Sequence, residues 1–311
     1  MAMNPELSQQ QKLLPLRQDV RFLGELLGRV LIHQEGRALF NTEERIRKLA
    51  IRVRRKGRKA DEAALLRLLG RLDVATATKI IRAFSVYFQL VNVAEENHRL
   101  RRKRHYESLP GFHPARGSME DVVHRLARAG VSAGALAKEL EQLSIILVLT
   151  AHPTQALPPT VLAKHRQIWD WLLKRELVRP TPKEERRIVQ ALYEEIMSLW
   201  QTDELRSQRP TPEDEVEHGL YYLSSVLYDA LPDTLLEFQA ETQRVYGQPL
   251  PLRPMIRFGS WIGGDKDGNP HVTHHTLRWA LTRYRQAILA KYLDALEQLK
   301  LVRLKALPEP R

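Results

Sequence analysis

Residues 144–155, SIILVLTAHPTQ, constrain this chain more than any other stretch. Six residues rich in Ile, Leu and Val run straight into Thr150-Ala151-His152-Pro153-Thr154-Gln155. A short unbroken apolar run bounded by polar and proline signals fits a strand buried on both faces. Pro153 lacks an N–H and fixes its own φ, so the strand should stop there. His152 then falls at the strand's carboxyl end, where α/β barrels place their chemistry. The other reading of the run is a buried helix turn carrying a hydrogen-bonded core histidine.

Most of the remaining chain is patterned for helices. Asp19 fits an N-cap for a helix with Leu23, Leu26, Leu27, Val30 and Leu31 at helical spacing. Helices are expected over 43–53, with a turn at Gly57, and over 61–70, where Gly70 stops the helix. Asp73 opens the next, carrying Ile80, Ile81, Phe84, Tyr87, Phe88 and Val91. A helical pair over 119–129 and 133–143 leads into the apolar run. Pro158 and Pro159 fit only the first turn of a helix over 161–177. Prolines at 180–182 and 210–212 then punctuate helices over 183–205 and 213–231. A second strand is expected over 255–262, and a long helix over 273–304. A two-stranded sheet is marginal alone, so the two strands want partners.

Composition narrows the function classes. With 311 residues, 43% of them hydrophobic, the chain can bury a substantial core in one or two domains. Residues 1–11 lack the apolar core of a signal peptide, and no run approaches the ~20 apolar residues of a membrane span. Cysteine is absent, which excludes disulfides and thiolate metal sites and suggests a reducing, cytoplasmic setting. The net charge is +12, with basic clusters at 52–59 (RVRRKGRK) and 99–104 (RLRRKR). Such clusters serve nucleic acid, anionic metabolites or solvated helix faces. No zinc-finger spacing or aromatic RNP-like string accompanies them, so nucleic acid is not an expected partner.

The second informative stretch is 258–270, FGSWIGGDKDGNP. Gly259, Gly263, Gly264 and Gly268 allow backbone geometry closed to other residues, and close approach of a ligand. Asp265, Lys266, Asp267 and Asn269 place charge and hydrogen-bonding groups just past a strand. An EF-hand is excluded, because its glycine and glutamate positions fall on Pro270 and Thr276. A P-loop is excluded because no Gly-Lys-Ser/Thr follows. A plain polar turn would not need Trp261 beside paired glycines. His271, His274 and His275 have metal-like spacing but no HExxH glutamate, so solvent-facing side chains are expected. Glu184-Glu185 and Glu194-Glu195 are expected as exposed helix charges.

These blocks resemble the N-terminal part of phosphoenolpyruvate carboxylases. The resemblance covers LTAHPTQ at 149–155, FGSWIGGDKDGNP at 258–270 and LLGRVLIHQEG at 26–36. It also covers AFSVYFQLVNVAEENHRLRRKR at 83–104 and LWQTDELRSQRPTPEDE at 199–215, all in the family's order. It implies a mainly α-helical protein with a few short parallel strands, in which a partial (β/α)8 barrel is embedded. Residues 1–143 would form an N-terminal helical region. Residues 144–311 would begin the barrel, with strands near 144–150 and 255–262, completed only in a full-length homotetramer.

The implied reaction makes oxaloacetate and phosphate from phosphoenolpyruvate and bicarbonate with Mg²⁺ or Mn²⁺. By the same resemblance His152 is the catalytic base and Trp261 lines a dry pocket. Arg257 and the Gly263, Gly264, Asp265, Lys266, Asp267 and Asn269 loop position substrate. The metal ligands lie in a C-terminal part absent here, so the chain alone is expected to be inactive. Two departures from the pattern matter. Pro158 and Pro159 stand where the family usually has paired basic residues, leaving Arg206 as the candidate effector contact. Lys266 stands where arginine is common, keeping charge but losing a planar fork. The competing readings are a non-catalytic helical assembly or anion-binding module acting with a separate C-terminal half, and a basic nucleic-acid-binding protein.

Overall fold

Caps and prolines set the helix boundaries in the computed structural model, which describes residues 12–108, 114–151, 157–177, 180–202, 210–251 and 253–306. In chain order the elements are α1 (Leu14–Lys56), α2 (Lys59–Leu69), α3 (Val74–Glu107), α4 (Met119–Arg128), α5 (Ala133–Gln142) and β1 (Ile145–Leu149). They continue with α6 (Pro159–Leu177), α7 (Pro182–Gln201), α8 (Pro212–Tyr222), a π turn (Leu223–Leu227), α9 (Tyr228–Tyr246), β2 (Ile256–Ser260) and α10 (His274–Ala306). The chain divides into two units: Met1–Leu109 with Thr160–Glu204, and Pro110–Pro159 with Leu205–Arg311. No helix among the described residues is long and apolar enough to cross a membrane.

In the first unit α1 buries Leu23, Leu26, Leu27, Val30 and Leu31, the stripe its sequence spacing requires. The helix breaks at Gly36, whose φ of 85° and ψ of 166° are closed to a residue with a Cβ. It ends at Gly57 in the left-handed region, whose N–H donates to the Val53 carbonyl at 2.8 Å. Arg54, Arg55 and Lys56 fill the last turn, where the helix dipole favours cations. Asp73 caps α3 by accepting from the Thr76 N–H at 2.9 Å. At α7, Pro182 opens the helix and Thr181 with Glu184 forms a reciprocal capping box.

Two expectations in this unit are corrected. Asp19 is not an N-cap: the helix begins at Leu14, so Asp19 lies inside it, buried, and accepts from Arg101 at 2.7 Å. A buried carboxylate needs such a partner. On α3 the buried stripe is Ile80, Ala83, Val86, Leu90, Val93 and Ala94, whereas Ile81 and Phe88 are 69% and 61% exposed. Small Ala83 and Ala94 let α3 lie close to its neighbours, which fixes the rotation of the helix.

Arg101 is also not a solvated member of its basic cluster. Its guanidinium grips Glu176 through Nε at 2.7 Å and Nη2 at 2.9 Å, as well as Asp19. This clasp joins the start of α1 to the end of α3, while Lys79 near the start of α3 pairs with Glu35 at 2.6 Å. The leg of α1 before Gly36 is therefore antiparallel to α3.

The second unit is organised on a sheet of β1 paired parallel with β2, in register from Ile145↔Ile256 to Leu149↔Ser260. One apolar cluster joins Leu136 and Leu140 of α5 to Leu250 and Met255, with Ile256 packed on it. A second joins Val216 and Leu220 of α8, Ile262 and Ala280, with Leu149 and Tyr284 against it. Burial of such side chains contributes about 1.5–3 kcal/mol each. The helix after Pro212 does not stop near Leu231. It passes through the π turn and Pro232 to Tyr246, closed by Gly247 at φ 74°. The altered hydrogen-bond spacing of the π turn lies just upstream of the proline, where the ladder must accommodate its ring.

The expectation that the first strand is buried on both faces is also overturned. Ile146 is 60% and Val148 46% exposed. Ile145 and Leu147, on the other face, are 38% and 48% exposed, and among the described residues each strand has a single neighbour. Leu149, at the carboxyl end of β1, is the strand residue that packs against the α8–α10 cluster.

Candidate functional site

Parallel pairing puts the carboxyl ends of β1 and β2 at the same end of the sheet. The ladder extends one step further, because the Trp261 N–H donates to the Leu149 carbonyl at 2.9 Å. The chain leaving β1 toward the HPT segment and the loop leaving β2 therefore start side by side. His152 and Arg206 lie outside the described residues.

The loop after β2 is built mainly from its own hydrogen bonds. The Trp261 carbonyl accepts from the Gly264 N–H at 3.0 Å and the Asp265 N–H at 2.9 Å. Asp265 Oδ1 accepts from the Asp267 N–H at 3.1 Å, and Asn269 Oδ1 from the His271 N–H at 3.0 Å. These side-chain turns shape the backbone. Gly263, at φ 79°, is wedged where a Cβ would come within 2.6 Å of Val216 Cγ2 and 2.8 Å of Ala280 Cβ. Gly264 lies against Leu277, and Gly268 at φ 70° turns in open space. Thr273 and Thr276 exchange N–H to hydroxyl bonds at 3.2 and 3.4 Å, capping α10 as it leaves the loop.

Charge is presented outward. The side chains of Arg257, Lys266 and Asp267 make no hydrogen bond or ion pair with any described residue, and all three are exposed. Arg257 pairs in register with Ile146. A Cβ on the neighbouring Gly259 would contact Val148 and Ile146 at 3.5 and 3.8 Å. Arg257 therefore shares a sheet face with Ile146 and Val148, beside a glycine that leaves room. Trp261 is 58% exposed at the end of that sheet. The sheet face thus carries a guanidinium near the amino-terminal end of the strands, while the indole and the Lys266 ammonium follow their carboxyl end; such cationic groups beside an apolar wall are suited to anionic ligands.

The three histidines do not converge: His274 and His275 stack with ring centroids 3.9 Å apart, and His271 is exposed. Among the described residues no three His, Asp or Glu side chains gather as ion ligands. Glu184 serves the α7 cap and Glu185 pairs with Arg175 at 2.8 Å, so neither is a free acid or base.

Two residues at the site escape sequence reasoning. Ser260 ends β2, and Tyr284 reaches it from α10, their hydroxyls 2.9 Å apart. Burial pushes the Tyr284 phenol upward, with the Ser260 hydrogen bond acting the other way. The available signal is the Ala280, Tyr284 and Ala287 spacing, which marks the buried face of α10.

A family profile described as phosphoenolpyruvate carboxylase matches residues 16–304. The phosphoenolpyruvate carboxylase of Ralstonia nicotianae is 40% identical over 291 residues, covering 92% of this chain and 29% of that protein. Those of Alcanivorax borkumensis and Xanthomonas campestris pv. campestris are each 38% identical, again over 92% of this chain. The chain spans 32% and 31% of their lengths.

Proposed function

The chain belongs to the phosphoenolpyruvate carboxylase family, and from that premise we propose that it supplies the first strands of the family's (β/α)8 barrel and its catalytic histidine. The reading rests above all on the parallel pairing of β1 with β2, which starts the two motif-bearing loops side by side. Residues 144–311 carry the opening of the barrel, and residues 1–143 the helical region before it. The full-length protein is a cytoplasmic homotetramer.

In the reaction, bicarbonate attacks the phosphoryl group of phosphoenolpyruvate. The bond from phosphorus to the enol oxygen breaks, giving carboxyphosphate and the enolate of pyruvate. His152 accepts the carboxyl proton of carboxyphosphate as it separates into CO₂ and phosphate. Imidazole ordinarily titrates near pH 6.5, which suits this transfer. The enolate carbon then attacks CO₂ to form oxaloacetate. Arg257 and Lys266 neutralise the anionic substrate, and the turns at Asp265 and Asn269 hold Lys266 and Asp267 in place. Trp261 forms one wall of a pocket that keeps water from the enolate. A divalent Mg²⁺ or Mn²⁺, when bound, would neutralise charge on the anionic substrate. Among the described residues no group of His, Asp and Glu gathers to hold it, and its ligands would be supplied by the remaining length of the family's chain. Arg206 is the remaining effector contact, since Pro158 and Pro159 offer neither charge nor a donor.

The test is oxaloacetate formation from phosphoenolpyruvate, bicarbonate and Mg²⁺. The 311-residue chain, shown to be folded by circular dichroism, is expected to give no turnover. Fused to the remaining length of the Ralstonia relative it is expected to turn over, and His152→Asn in the fusion to lose about 10²–10⁴-fold. A fusion that keeps its rate without His152 refutes the assignment. Turnover by the chain alone refutes the need for the rest.

A further inference from the structure

Tyr284 spends its hydroxyl on the backbone at the end of β2, although its ring already packs in the α8–α10 cluster. The Ile262 N–H donates to Ser260 Oγ at 3.2 Å, the Ser260 hydroxyl meets the Tyr284 oxygen at 2.9 Å, and the Tyr284 O–H donates to the Ile262 carbonyl at 3.0 Å. With Tyr284 donating to the carbonyl, Ser260 must donate to Tyr284. The three bonds form a closed ring in which each hydroxyl gives one proton and accepts one. Trp261 is tied separately, its N–H to Leu149 and its carbonyl to Gly264 and Asp265.

We propose that Tyr284 is a positioning residue that, with Ser260, fixes both backbone groups of Ile262 and thereby sets where Trp261 and the 263–269 loop stand at the carboxyl end of the sheet. The relay completes the set: all four backbone polar groups of Trp261 and Ile262 then have partners. Without it, the Ile262 peptides are free to rotate, and the Gly263 turn loses its fixed approach. Burial favours the neutral phenol, so the donor persists across the neutral range. The consequence for catalysis rests on the reading of Trp261 as a pocket wall, whereas the positioning itself does not.

The experiment uses the 311-residue chain labelled with ¹⁵N and 5-fluorotryptophan, the Trp261 line being assigned with Trp261→Phe. Tyr284→Phe keeps the ring and removes the hydroxyl. It is expected to speed amide exchange at Gly264 and Asp265 by about five- to tenfold and to shift the Trp261 fluorine line. The Trp200 line and the amides of α1–α3 should not change. Ser260→Ala should reproduce the effect, and the double variant should add little, because both break one ring. If Tyr284→Phe does not fold, Ser260→Ala decides alone. Unchanged exchange and an unchanged Trp261 line in the single variants overturn the proposal. So does an equal loss of protection throughout α8–α10, which would make Tyr284 ordinary packing. Phosphoenolpyruvate with Mg²⁺, added to the unsubstituted chain fused to the remaining length of the Ralstonia relative, separates the two ideas. A Trp261 line that ignores it counts against the pocket reading, while the exchange data still decide the positioning.

Discussion

Alanine at Gly263 should destabilise the second unit far more than alanine at Gly268, although both glycines have positive φ, at 79° and 70°. Each substitution places an L side chain in the left-handed region, costing about 1 kcal/mol. At Gly268 that is the whole cost, since nothing lies within 4 Å of the added Cβ. At Gly263 the methyl would sit 2.6 Å from Val216 Cγ2 and 2.8 Å from Ala280 Cβ. Neither neighbour can swing away: Ala280 has no χ angle, and Val216 is β-branched within a helix. Overpacking of this kind adds about 1–3 kcal/mol, giving about 2–4 kcal/mol in all. Urea unfolding at 25 °C, followed by the fluorine lines of Trp261 and Trp279, measures both variants against the unsubstituted chain. With m unchanged, the midpoint for Gly263→Ala should fall at least twice as far as that for Gly268→Ala. Val216→Ala, which removes one of the two clashes, should reduce the extra cost. Equal midpoints for the two glycine variants would refute the claim that the loop is locked between α8 and α10.

Two further predictions concern the first unit. Glu43 is buried on α1, and its carboxyl is raised to about 7, first by burial and then by the adjacent Glu44. The folded state therefore holds a proton that the unfolded chain has released, so stability falls as pH rises from about 4.5 through 7. Glu43→Gln should leave stability near pH 4 unchanged and raise it at pH 8, on the order of 2 kcal/mol after allowing for solvent screening, as read by denaturant titration at both pH values. Arg101→Met should cost about 3 kcal/mol, because the buried Asp19 loses the guanidinium that compensates its burial. If its unfolding midpoint, followed at Trp200, matches that of an exposed variant such as Arg104→Met, the clasp contributes nothing.

What the sequence disclosed were features decided locally. Gly57 ends a helix and Asp73 begins one through contacts within a few residues, and Pro182 and Pro212 mark helix starts by their missing N–H. Both strands were legible as apolar runs, and the glycine loop as a departure from a plain turn. The misreadings lie where a distant partner decides. Asp19 reads as a cap until Arg101, 82 residues away, claims it. The phase of α3 turned on alanines that give no strong apolar signal, while Ile81 and Phe88 drew the pattern onto the wrong face. The helix through Pro232 contradicted the usual meaning of proline because a π turn precedes it. Tyr284 was invisible as part of the site because its link to Ser260 exists only once α10 lies beside β2.

The register Ile145↔Ile256 joins residues 111 positions apart, and that separation dictates the timing of folding. Pairing across so long a loop is entropically late, whereas α1 and α3 can meet over much shorter spans. During synthesis at about 5–20 residues per second, β1 emerges roughly 6–20 s before β2 exists. For that interval IILVL is an apolar strand with both edges open, the kind of segment that self-associates. Pro153, four residues beyond Leu149, prevents the run from lengthening, and Lys138, Glu139 and Glu141 lie just before it. The same residues that mark the strand's end thus also act as gatekeepers for the nascent chain.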